Sequence, residues 1–226
     1  MHKLLNLFFL IFISHQTLSQ NDLFRDTSIK VIENNLKFNH AWAGGINAAQ
    51  FNEMDINLDG EKDLIVFDRS GNKLISFIKK NNQYVFAPKY KDLFPKLRDW
   101  VIFADYNCDG KNDIYSYSSS GIAIFENTSS SNLSFSLVTQ LVFSNYGSLN
   151  TNIFVSPVDI PAIVDIDNDG DLDILTFKIT GGFIEYHKNL AMELTGNCDT
   201  VALKLESGCW GNFYEGLNNY TLNCQN

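Results

Sequence analysis

Three times in this chain, from Asp55, Asp105 and Asp165, nine residues follow one pattern: an acid or amide at the first, third, fifth and ninth places and glycine at the sixth. The starts lie 50 and 60 residues apart. One such stretch is ordinary turn chemistry, since Asp, Asn and Gly favour turns for local reasons. Three in the same register make a structural repeat, and a repeat of this length means a stack of supersecondary units rather than one irregular domain.

The residues around each loop fill in the unit. After the first loop come Leu64, Ile65, Val66 and Phe67; after the second, Ile114, Tyr115, Ser116 and Tyr117; after the third, Ile174, Leu175, Thr176 and Phe177. The aromatic falls at one offset each time, and these runs are strand-like. A glycine follows eight residues past each loop, Gly71, Gly121 and Gly181, where a hairpin turn with positive φ is expected. A third strand then ends near Phe77, Phe125 or Tyr186. Upstream strands cover 48–54, 101–104 and 162–164, with Ile166 still in phase, and fourth strands cover 84–87, 135–138 and 201–205. The prediction is an all-β, β-propeller-like array of four-stranded antiparallel blades, about three in number. Its divisions are repeat 1 at 45–98, repeat 2 at 99–155 and repeat 3 at 156–205. An N-terminal segment or edge strand occupies 20–44, and a Cys-containing segment at 206–226 begins a further repeat. Phe and Tyr number 27 against 4 Pro, which suits strands.

Alternating oxygen donors around a glycine turn suit a hard cation with six to eight ligands. The expected ligands are Asp55, Asn57, Asp59, the Glu61 carbonyl and Asp63; then Asp105, Asn107, Asp109, the Lys111 carbonyl and Asp113; then Asp165, Asp167, Asp169, the Asp171 carbonyl and Asp173. Calcium fits better than magnesium, which demands a stricter octahedron, and three ions are expected. An EF-hand needs a bidentate Glu at the twelfth place, where this chain has Val66, Ser116 or Thr176. By charge count the third loop, with Asp167 and Asp171, binds tightest, and the second, with Lys111, weakest.

These residues resemble the FG-GAP or VCBS-type repeats of integrin α-subunit propellers and secreted bacterial surface proteins, over roughly residues 45 to 190. The resemblance implies a non-enzymatic module for binding, adhesion or scaffolding at the cell surface. The alternatives are the scaffold of a carbohydrate-active enzyme and the N-terminal part of a larger repeat protein. A closed propeller takes about four to eight blades, so three imply a longer product, open edges that pair with another chain, or edges covered by the N-terminal segment 24–45 and the C-terminal segment.

The remaining features bound the setting. Residues 1–19 read as a signal peptide: Lys3, an apolar run from Leu4 to Ile13, then Thr17 and Ser19. That run is too short to span a bilayer, so no membrane insertion is expected. The formal charge of −9, with its carboxylates clustered, argues against nucleic acid and leaves a protein or glycan as partner. Cys198–Cys209 and Cys209–Cys224 are both plausible pairings, and Cys108 has no evident partner. His40 and His187 are the only histidines after the signal segment, so a nucleophile, His and acid set is not expected, and His187 is read as tipping a strand. Trp42, Trp100 and Trp210 are read as core packing rather than a sugar-stacking face.

Overall fold

The computed structural model describes Asp26 and residues 28–224; the signal segment lies outside the described residues. The chain divides into two units at Phe38. The described part of the first carries one small hairpin, β1 (Ile32–Glu33) against β2 (Leu36–Lys37).

The second unit is built from three larger sheets and one two-stranded hairpin. The first is β3 (Ala49–Met54), β4 (Asp63–Asp68), β5 (Lys73–Lys80) and β6 (Gln83–Phe86), antiparallel in sequence order. The second repeats this meander as β7 (Val101–Ala104), β8 (Asp113–Ser118), β9 (Gly121–Asn127) and β10 (Phe135–Thr139). In both, the acidic loop joins the first and second strands. These are the four-stranded antiparallel blades expected, and they form an open array rather than a closed barrel.

Side chains on a strand alternate between faces, so a sheet between two others must be apolar on both. The second sheet obeys this. Ile114 lies in a core with Met54, Ile56, Ile65, Phe94 and Leu133, between the first and second sheets. Its neighbours Tyr115 and Tyr117 point the other way, into a core with Trp100, Ile122, Ile124, Ile153, Val155, Ile174 and Leu203. Of the three tryptophans, Trp100 is fully buried whereas Trp210 is 37% exposed. Polar contacts add to the apolar ones: the Gln50 amide exchanges two hydrogen bonds with the backbone of Val101 (3.0 and 3.1 Å). Arg69 donates to the carbonyls of Asp99, Pro157 and Val158.

The third sheet departs from the four-stranded plan. It contains β11 (Phe143–Asn145), β12 (Asn150–Asn152), β13 (Ala162–Val164), β14 (Asp173–Phe177), β15 (Ile184–Asn189) and β16 (Leu203–Ser207), in the order β12-β11-β16-β15-β14-β13. The pairing of β11 with β16 is parallel. The longer spacing between the second and third loops supplies the β11–β12 hairpin, which covers the outer edge of the blade.

This hairpin also explains why His187 does not tip a strand. His187 sits inside β15, fully buried, with Nδ1 2.9 Å from the Ser144 hydroxyl on β11. Its Nε2 is 3.6 Å from Glu185, which accepts a hydrogen bond from Tyr146. Ser144 is equally buried, so this Ser, His and Glu grouping offers its hydroxyl to no solvent-borne substrate and acts as a polar pin for the hairpin. Replacing His187 with Ala should lower stability by about 2–4 kcal/mol, through the cavity and the unpaired Ser144 hydroxyl, read from the urea midpoint.

Two further expectations are corrected. Positive φ in the hairpin turns falls on Asn72, on Ser119 and Ser120, and on Gly181 and Gly182; Gly71 and Gly121 are not in that region. Gly121 is needed instead for close approach, since a Cβ there would lie 2.8 Å from the Leu141 side chain and 3.1 Å from the Ile153 carbonyl. The cysteines pair as Cys108–Cys198 and Cys209–Cys224, so Cys108 does have a partner. The second bridge closes a segment carrying the hairpin β17 (Tyr214–Glu215) and β18 (Tyr220–Thr221), tied to the third sheet by a bridge between Phe183 and Tyr214.

Candidate metal centres

Each acidic loop folds the same way because its side chains satisfy its own backbone. The first-place Asp accepts N–H bonds from the fifth and sixth places: Asp55 from Asp59 (3.1 Å) and Gly60 (2.8 Å), Asp105 from Asp109 and Gly110, Asp165 from Asp169 and Gly170. The third-place amides of Asn57 and Asn107 accept from the fifth residue as well. The fifth-place Asp accepts from the seventh: Asp59 from Glu61, Asp109 from Lys111, Asp169 from Asp171. The sixth-place glycines have φ of +89°, +84° and +104°, a conformation that a Cβ would strain. The fourth place is also left-handed, at Leu58, Cys108 and Asn168; of these only Asn is at ease there.

The ninth-place Asp closes the unit. Asp63, Asp113 and Asp173 are fully buried, and one oxygen of each accepts the N–H of the second place, Ile56, Tyr106 or Ile166. The other accepts from the third strand of the blade, at Lys79 (2.7 Å), Asn127 (2.6 Å) or Asn189 (2.8 Å). This is why β5, β9 and β15 run past Phe77, Phe125 and Tyr186.

Burial pushes the carboxyls of Asp63 and Asp173 up, and that of Asp113 to about 6, with the neighbouring loop carboxylates adding to the rise at each. By contrast, backbone and side-chain donors hold Asp59 below the usual range. Lys188 does the same for Asp167. A raised folded value means that the folded state keeps protons that the unfolded chain releases. In chelator, stability should therefore fall as pH rises from about 4 to about 6. Asp59 and Asp167 act mainly below about pH 4, and Glu185 and Glu193, also held low, oppose the fall only at the bottom of that window. Unfolding midpoints at a series of pH values test this, and a midpoint that climbs across the window contradicts it.

The donor set fits a hard cation. In the third loop, oxygens of Asp165, Asp167 and Asp173 all lie within 4.8 Å of one another. Buried oxygens there, Asp169 Oδ2 and Asp171 Oδ1, accept no hydrogen bond. Of the seventh-place side chains, Asp171 accepts the Met192 N–H at the start of α1 (Ala191–Thr195), and Lys111 pairs with Asp109 of its own loop at 3.0 Å.

Sequence reasoning missed the neighbours of the third loop. Lys188 Nζ contacts Asp167, lies 3.4 Å from Asp169 and 2.6 Å from Glu193 on α1. Tyr186 donates to Asp173 at 3.1 Å. The signal was present in the repeat register: the residue before the strand donor is Ile78 in the first blade, Glu126 in the second and Lys188 in the third.

Comparison with known families gives two overlapping matches to the FG-GAP-like repeat, at residues 55–116 and 105–176. Each match begins at the first Asp of a loop and runs through the β-meander into the next loop and strand. No curated protein matches the chain.

Proposed function

The chain belongs to the FG-GAP-like repeat family, the matched residues covering over half of it, and from that premise we propose that it is a calcium-stabilised repeat module for binding, adhesion or scaffolding outside the cell. One observation carries the proposal: each blade buries a ninth-place carboxylate beneath a cluster of further oxygen donors, a set of negative charges that a divalent cation would neutralise. The ligands are those expected from the three loops, Asp55 to Asp63, Asp105 to Asp113 and Asp165 to Asp173. A calcium ion held by these residues would supply the positive charge that balances their carboxylates.

The residues then divide the work. The first-, third- and fifth-place side chains keep the loop in its ligating shape through their N–H bonds. The ninth-place Asp transmits that shape to the third strand. The module presents its surface loops to a protein or glycan on this stiffened base, with no chemistry of its own. Two disulfides support a setting outside the cytoplasm, and among the described residues no helix is long and apolar enough to cross a membrane.

Calorimetric titration of the purified chain should find calcium uptake at more than one site. A glycan array in calcium and in chelator, run beside a glycosidase and lyase screen, tests the role. Calcium-dependent binding without turnover is expected, and turnover of any glycan would sink the non-catalytic reading. Export is tested by fractionating a culture that expresses the whole chain, with recovery from the cytoplasm alone counting against it.

A further inference from the structure

The third loop differs from the other two in setting one lysine among three carboxylates. Lys188 lies among Asp167, Asp169 and Glu193, its side chain only 20% exposed. In the first loop the equivalent strand position is Ile78, packed against the core, and no lysine contacts the loop carboxylates among the described ion pairs. In the second loop Lys111 reaches one carboxylate, Asp109, from a side chain 44% exposed, where solvent screens the pair.

We propose that Lys188 is a built-in counter-ion of the third loop that calcium must displace, so that this loop is the weakest of the three and acts as a switch while the others are structural. The inference rests on the calcium reading of the loops. It reverses the ranking by charge count: Asp167 and Asp169, which raise that count, are the carboxylates the ammonium contacts. Two close charge-assisted contacts, with Asp167 and Glu193, and a third carboxylate oxygen at 3.4 Å on Asp169 make one nitrogen a strong internal competitor, and the Asp167 oxygen that faces it is not free to face a metal.

Displacement has a structural consequence. Lys188 also binds Glu193, and Asp171 of the same loop caps the start of α1 through the Met192 N–H. Three residues beyond α1, Cys198 is bridged to Cys108 in the second loop. Release of Lys188 therefore frees Glu193 from its only described ion pair, on a helix covalently tied to the neighbouring metal loop. Exchange of ammonium for calcium is read out at α1.

The test is a calcium titration of the full chain by calorimetry, with Lys188→Met and with Asp165→Asn, the second identifying which step belongs to the third loop. The wild type should show one step weaker than the rest, lost in Asp165→Asn. Lys188→Met should tighten that step by roughly tenfold or more and should melt below the wild type in chelator. If Lys188→Met does not fold without metal, calcium-loaded protein is mixed with excess chelator, and the third-loop ion should leave more slowly than from the wild type. An unchanged or weakened third step, or faster release, overturns the role of Lys188 while leaving the calcium reading intact. A wild type that takes up no calcium at any loop overturns both.

Discussion

Adding millimolar calcium to the chelated protein should raise its unfolding midpoint by about 10–20 °C. A ligand that binds only the folded state stabilises it by about 2.7 kcal/mol when present at a hundred times its Kd. A loop with a Kd near 10 μM, within the usual range for such oxygen sites, meets that condition at about 1 mM calcium. Two such loops contribute about 5 kcal/mol, a large part of a domain's stability. For a domain of this size each kcal/mol moves the midpoint by about 2–4 °C. The residues that transmit the effect are Asp63 and Asp113, whose buried carboxylates join the loop to the third strand. Scanning calorimetry in calcium and in chelator gives the answer directly, and a midpoint indifferent to calcium would mean that the loops are acidic turns held by their own N–H bonds.

The second large effect is expected from the bridge between Cys108 and Cys198. It closes a loop of 90 residues, and cross-linking so long a stretch removes chain entropy from the unfolded state worth about 4–5 kcal/mol. The double replacement Cys108→Ser and Cys198→Ser should lower the midpoint by about 8–20 °C. Cys209–Cys224 spans only 15 residues and ties a peripheral hairpin, so its loss should cost the midpoint less. Thermal unfolding of the two double variants side by side checks the order. Equal losses would mean that the terminal hairpin is as integral to the fold as the blades.

Much of this was legible in the chain. The nine-residue pattern and the alternating strands behind it specify the blade, because both depend on neighbours in sequence: φ at the sixth-place glycine, N–H bonds to side chains two to five residues back, and the period of two in a strand. Hence β7 and β13 fall where their apolar runs predict, and β16 lies two residues beyond its expected start because β15 holds it through Asn189 and Leu203. The turn glycines were harder to read, since either φ or crowding can require a glycine. Gly181 meets the first requirement and Gly121 the second.

What only the tertiary structure decided are the contacts between residues far apart in sequence. The extra residues between the second and third loops could have been any insertion. Their fate as a hairpin, with Ser144 set against His187 and a parallel pairing to β16, depends on an open edge that exists only once the third sheet has formed. Cys108 meets Cys198 because the second and third blades stack. Lys188 meets Asp167 and Asp169 because the end of β15 passes beside the third loop. A repeat pattern encodes the unit, since each unit is local; charge pairing and cross-links between units follow from how the sheets pack, which no single stretch of sequence contains.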